Sequence, residues 1–290
     1  MQFGVVFPQT EIGDRPADIR EYAQTVEGLG YDYLLAYEHV IGANPQRPGG
    51  WANRPYDHNS MFHEPFVLFG YLAALTERIR FMTGIVILPQ RQTVLLAKQA
   101  AQVDVLSGGR LTLGIGVGWN DVEYTALNED FHNRGRRQTE QVEVLRALWT
   151  QRLVNFQGKY HTIPDAGLYP LPVQRPIPIW FGGGSDASLR RMARLGDGWM
   201  TDTWEIDRLS GELATLRGYI ADAGRDPATF GIEFRISLNR HPEGEWPRLI
   251  ERLAELGVSH ISLNSMGYEL DGVDAHLVVI RKFAERVSVS

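Results

Sequence analysis

The chain has 290 residues, 43% of them hydrophobic and 22% charged, a balance that allows one large core and argues against disorder or a membrane-embedded protein. Its formal net charge of −6 comes from both signs spread along the sequence, with no basic face for nucleic acid. The absence of cysteine excludes disulfides, thiolate nucleophiles, zinc–thiolate sites and iron–sulfur clusters.

In chain order, residues 3–8 read as a strand and 15–30 as a helix, with Pro16 near its start, Gly30 at its end, and Ile19, Tyr22, Ala23, Val26 and Leu29 at helical spacing. Nothing before Pro8 resembles a signal peptide, and no stretch approaches the ~20 apolar residues of a membrane span, so a cytoplasmic protein without a membrane partner is expected. Residues 31–39 form a second predicted strand, followed at 41–61 by a Gly-, Pro- and Asn-rich segment suited to an irregular lid. A helix over 65–78, a strand over 79–88, a helix over 93–109 and a strand over 110–118 follow. The next stretch is less regular. It reads as a loop with a weak helical turn, a helix over 134–149, a hairpin turning at Gln157-Gly158, and a proline-rich approach to Pro178 that cannot be helical. Strands over 179–184, 197–201, 230–238 and 259–265 then alternate with helices over 185–196, 205–224, 245–257 and 271–287. Eight strand–helix units in strict alternation predict parallel strands closed into a (β/α)8 barrel, a single domain over 1–290 with an insertion after the fourth strand. A doubly wound open sheet is the alternative.

Within the fourth strand, Leu113 to Trp119 reads LGIGVGW. A dinucleotide fingerprint spaces its glycines G-x-G-x-x-G and opens a helix at once, in the first βα turn. Here Gly114, Gly116 and Gly118 follow strand period, so that reading is rejected. Alternate glycines bare one face of a strand, either for barrel packing or for close approach of a ligand. Gly118, at the C-terminal end where barrel active sites gather, favours the ligand. Gly182, Gly183 and Gly184 ahead of Ser185, a natural N-cap, let backbone N–H groups converge where a helix N-terminus attracts an anion. Asp186 complicates that reading, because a carboxylate there repels a phosphate unless it points away.

These residues, with ERIRFMTGIVILPQRQTVLLAKQAAQVDVL and PIPIWFGGGSDASLRRMARLGDGW, resemble the bacterial luciferase-like superfamily, in particular its deazaflavin (coenzyme F-420)-dependent oxidoreductases. The resemblance covers about the first 200 residues, a span that suits the barrel. It implies a flavin-type ring at the C-terminal mouth, a small-molecule substrate and a homodimer packed through early helices. It also implies that Glu38 and His39 are the carboxylate–histidine pair ending the second strand. His39 supplies or relays a proton, as an imidazole with a pKa near working pH is suited to do. By the same resemblance, Gly84-Ile85 carries a non-proline cis peptide behind the ring, Gly182 to Ser185 hold the phosphate, and Phe7, Thr83, Gly116, Gly118 and Trp119 line the cofactor. Arg134, Arg137 and Glu140 match a family Arg/Arg/Glu helix, for which salt bridging explains the spacing at least as well as catalysis. Trp119 stands where sugar-phosphate dehydrogenases of the family carry a glutamate, which puts an acid–base role on that strand in doubt. Glu123 is a potential substitute.

The leading expectation is hydride transfer from reduced F-420 to a small organic substrate. FMNH2- and oxygen-dependent monooxygenation is the alternative, and a non-catalytic flavin-binding protein is a third. A metal-dependent hydrolase is disfavoured, because only His39 and His260 come near strands and His260 begins the eighth, at the wrong end. His63 and Glu64 read as loop anchors, and Trp180 as core.

Overall fold

Strand parity explains the architecture of the computed structural model, which describes residues 1–50, 54–287 and 289. The strands are β1 (Gln2–Val6), β2 (Tyr33–Ala36), β3 (Arg80–Thr83), β4 (Val86–Ile87), β5 (Leu111–Gly116), β6 (Val154–Gln157), β7 (Thr162–Ala166), β8 (Ile179–Gly182), β9 (Gly198–Met200), β10 (Gly231–Ser237) and β11 (His260–Asn264). The helices are α1 (Pro16–Gly28), α2 (Pro65–Ala73), α3 (Thr93–Ser107), α4 (Asp121–Ala126), α5 (Arg134–Thr150), α6 (Asp186–Leu195), α7 (Ile206–Asp222), α8 (Trp246–Glu255) and α9 (Gly272–Val287). Eight strands pair in parallel in the order β3-β2-β1-β11-β10-β9-β8-β5, and β5 returns to β3 to close the ring. This is the expected (β/α)8 barrel. The antiparallel β6–β7 hairpin lies outside it.

Successive side chains on each strand face opposite ways. Val5, Leu34, Phe81, Leu113, Ile115, Phe181, Phe234 and Leu263 face outward into one continuous core with the helices. Val6, Tyr33, Leu35, Met82, Trp180 and Met200 face inward and fill the barrel.

The ring closes through an irregularity. Phe81 and Met82 lie opposite Leu111 and Thr112, but Val86 and Ile87 lie opposite Ile115 and Gly116. From Met82 to Val86 is four steps, whereas from Thr112 to Ile115 is three, so one extra residue bulges out between β3 and β4. The Gly84-Ile85 peptide within this bulge is cis. The expected single strand over 79–88 is therefore two short ones. Gly114 lies directly opposite the bulge: a Cβ there would collide with the Thr83 carbonyl oxygen and lie 2.6 Å from the Met200 sulfur. Packing, rather than a ligand, requires that glycine.

Three local expectations change. The loop after β5 holds a helix, α4, because the Asn120 side chain accepts hydrogen bonds from Val122 and Glu123 N–H and caps it. The hairpin turns through residues 158–161 rather than at Gln157-Gly158 alone. Helix α2 stops at Ala73 instead of residue 78, and the backbone N–H groups of Glu77, Arg78 and Ile79 are taken up by the Glu27 carboxylate of α1.

Burial would raise the Glu27 carboxyl, but the three N–H groups, from Ile79, Arg78 and Glu77, outweigh it and hold the group below its ordinary value. A depressed folded-state pKa stabilises above the unfolded carboxylate range and loses that effect as pH falls through the folded value. Glu27→Gln is expected to cost about 1 kcal/mol at pH 7, after allowance for solvent screening at this partly exposed position. The difference from wild type should shrink as pH falls below the usual carboxylate range. Urea denaturation at several pH values measures both.

Candidate active site

A cavity of about 520 Å³ opens at the C-terminal ends of the barrel strands. Its walls are Tyr37, Glu38 and His39 after β2, Gly84 and Ile85 at the bulge, Gly116 to Trp119 at the end of β5, and Gly182 to Ser185 after β8. Tyr56, Ile87, Ser188, Asp202 and Arg235 complete it. The volume lies within the ~300–1,000 Å³ of small-molecule sites. The structure thus brings together His39, Glu38, Gly84, Ile85, Gly116, Gly118, Trp119, Gly182, Gly183, Gly184 and Ser185. Phe7 and Thr83 do not line the cavity. Phe7 lies on the outer face with Val5, fully buried against Tyr22 and His63. The Thr83 hydroxyl is buried and donates to the Gly114 carbonyl at 2.7 Å.

His39 is held from the insertion. Its Nδ1 lies 3.2 Å from both oxygens of Glu123, a fully buried carboxylate in the first turn of α4. One of those oxygens also accepts the Val40 N–H at 2.7 Å. Because Glu123 is an acceptor, it favours the tautomer with its proton on Nδ1 and leaves Nε2 for a ligand. Tyr56, Phe62 and Trp119 surround the ring, with centroids 5.1, 4.8 and 5.5 Å away. A second cavity of about 350 Å³ lies beyond it, and His39, Tyr56 and Trp119 border both. Trp51 to Asn53, within the expected lid, fall outside the described residues.

Glu38 has both oxygens engaged. It accepts from the Ile87 N–H and from Arg91, which also reaches Glu64 at 2.8 Å. Burial pushes its carboxyl up, against the opposing pull of Arg91 and Ile87. The geometry makes it a brace between β2 and the segment after β4. Glu64 accepts the Val67 N–H and so caps α2, the anchoring role expected of it.

At the glycine loop, Gly183 has φ +94°, a conformation that favours glycine. Ser185 caps α6 by accepting the Ser188 N–H. Trp199, outward on β9, donates to the Gly183 carbonyl at 3.0 Å and fixes the loop from behind. Asp186 turns away to Arg190 and the Tyr219 hydroxyl. Asp202 instead accepts the Gly184 N–H at 3.1 Å.

The cavity floor is polar. Arg235 donates to the Tyr37 hydroxyl and to Glu233, each at 3.3 Å, and its Nε is buried without a partner. Glu233, fully buried, also accepts from Ser262. Tyr37, Tyr56, Asp202 and Arg235 were not among the expected site residues. The signal for Arg235 is in the sequence: Glu233 and Arg235, two apart in an otherwise apolar strand, share the inward face.

The remaining candidates have structural roles. His260 lies at the opposite end of the barrel under Trp180, and burial pushes it down to about 4. Arg137 pairs with Glu129, and Arg134 covers the Phe131 ring. Glu140 holds the hairpin through Lys159 and Tyr160 N–H and His161. Among the described residues, no three His, Asp or Glu side chains are grouped to hold a metal ion.

A family model described as luciferase-like monooxygenase matches residues 1–261. Uncharacterized protein Rv0940c of Mycobacterium tuberculosis is 34% identical over 91% of this chain and 92% of its own length. The FMNH(2)-dependent dimethylsulfone monooxygenase of Pseudomonas putida is 30% identical over 71% of this chain and 54% of its own. The F420-dependent glucose-6-phosphate dehydrogenase of Amycolatopsis mediterranei is also 30% identical, over 64% of this chain and 53% of its own. The fold matches that of monooxygenase RslO1 from Streptomyces bottropensis, with a TM-score of 0.77 at 21% identity over 99% of both chains. It also matches an F420-dependent secondary alcohol dehydrogenase, with a TM-score of 0.74 at 20% identity over 97% of this chain and 98% of that one.

The Glu123 contacts carry a stability prediction. Glu123→Ala leaves the Val40 N–H and His39 Nδ1 without their acceptor and is expected to cost about 2–4 kcal/mol. Glu123→Gln keeps an acceptor and should cost less than half as much. Urea midpoints of the two variants measure the difference.

Proposed function

The chain belongs to the luciferase-like monooxygenase family, and from that premise we propose that it is an oxidoreductase using reduced coenzyme F-420 to reduce a small organic substrate. One observation carries this reading. Three stretches of backbone from separate strand ends, at Gly84 and Ile85, at Gly116 to Trp119, and at Gly182 to Ser185, meet His39 around a single cavity. That cavity suits a planar ring against Ile85, whose side chain fills the space left at Gly116 and Gly182, with a phosphate towards the loop and the Arg235 side chain in the wall.

When bound, a reduced deazaflavin supplies a hydride, two electrons with one proton. The protein's part is to orient, exclude water and deliver the second proton. Ile85 backs the ring from the bulge. Carrying a second proton as the imidazolium, with its Nδ1–H held by Glu123, His39 gives the Nε2 proton to the substrate oxygen or carbon that the reduction leaves basic. Glu123 fixes the imidazole and stabilises it when charged. Glu38 with Arg91 holds the end of β2 so that His39 keeps its place. Tyr56, Phe62 and Trp119 dry the approach.

The P. putida relative named above favours a second reading, in which FMNH2 and oxygen replace the deazaflavin. Equilibrium titration with both cofactors, followed by oxygen-uptake measurements, separates the two. Binding of F-420 without substrate-coupled oxygen uptake supports the first. FMN binding alone, with coupled uptake, overturns it. His39→Ala is expected to keep cofactor affinity within about threefold and to lower kcat by roughly 10²–10⁴. Unchanged turnover would remove His39 from the chemistry.

A cytoplasmic homodimer completes the proposal. Val67 and Tyr71, one turn apart on α2, and Val94 and Leu95 at the start of α3 are exposed apolar side chains. Light scattering is expected to give twice the 32.7 kDa chain mass, and Val67→Asp with Tyr71→Asp to reduce it to the monomer.

A further inference from the structure

We propose that Asp202 and Glu212 select the phosphate the glycine loop accepts, admitting a singly charged phosphodiester over a doubly charged phosphomonoester. This rests on the reading above, in which the loop after β8 receives the cofactor's phosphate. The two carboxylates lie against that loop. A Cβ on Gly184 would lie 2.7 Å from an Asp202 oxygen and 3.3 Å from a Glu212 oxygen. Asp202 already occupies the Gly184 N–H at 3.1 Å. Arg208 is shared between them, with its Nε 2.8 Å from Glu212 and a terminal nitrogen 3.9 Å from Asp202. The second Glu212 oxygen is buried without a partner. Asp186 and Arg190 pair with each other and add no net charge. Two carboxylates against one guanidinium leave about one negative charge beside the loop.

The candidate cofactors differ at this point. The phosphate of F-420 is a diester within its chain and carries one charge. That of FMN is a terminal monoester with a second pKa of about 6, so it approaches two charges at neutral pH. Repulsion scales with the product of charges, so at the phosphate itself the acidic pair weighs about twice as heavily against FMN. Riboflavin has no phosphate and is indifferent to it.

The test is fluorescence titration of oxidised F-420, FMN and riboflavin with wild type, Asp202→Asn and Glu212→Gln at pH 7.5. Asn keeps an acceptor for the Gly184 N–H, and Gln keeps one for Arg208, so both variants remove charge and little else. In each variant, FMN affinity is expected to rise about tenfold, F-420 affinity about threefold, and riboflavin affinity not at all. Equal changes for FMN and riboflavin, no change for either, or a larger gain for F-420 than for FMN would overturn the selection while leaving the cofactor reading intact. Failure of the wild type to bind any of the three would overturn both.

Discussion

The packing of the Thr83 carbonyl over Gly114, where a Cβ would have no room, is the constraint on which the rest depends. Strand β3 must pair with β5 to close the ring, yet it carries one residue too many before β4. The surplus is absorbed only because Gly114 has no side chain, and the Thr83 hydroxyl ties the two strands together there. Closure then sets where the bulge stands, and with it the wall formed by Gly84 and Ile85. A larger residue at position 114 would push β3 off β5 and open the barrel beside its own site.

The groups at the mouth are held by partners from other parts of the chain. Glu38 is gripped by Arg91 from beyond β4, His39 by Glu123 from the insertion, the Gly183 carbonyl by Trp199 from β9, and the Gly184 N–H by Asp202. Positioning of this kind fixes rotamer and tautomer before any ligand arrives. It also gives the insertion a definite role: α4 is anchored by Asn120 and delivers a buried carboxylate to a histidine on a different strand–loop junction.

The eight-unit rhythm and the glycine loop were legible in the sequence because they rest on local signals, namely apolar runs, glycine placement and a capping serine ahead of a helix, whereas the cis peptide position and most of the cavity wall were legible only through the family resemblance. Phe7 was misplaced because strands of a closed barrel are apolar on both faces, so sequence alternation does not say which parity looks inward. Thr83 sits where a bulge resets that parity, and its hydroxyl is spent on a backbone carbonyl. The partnership of Glu123 with His39 spans 84 residues and depends on how the insertion folds, which no local pattern encodes. Arg235 does carry a signal in the sequence: Glu233 and Arg235, a charged pair two residues apart in a mostly apolar strand, mark a polar barrel floor.

Ile85 stands between two bare strand ends. A Cβ on Gly116 would come within 2.6 Å of its side chain, and one on Gly182 within 3.0 Å. The isoleucine fills volume that both glycines forgo, so the three positions amount to one inherited unit. A lineage that trims residue 85 gains freedom to place side chains at 116 and 182, whereas one that keeps a branched side chain there must keep both neighbours bare. A side chain at 116 or 182 therefore requires a coordinated change at 85, although the three positions come from distant stretches of the chain.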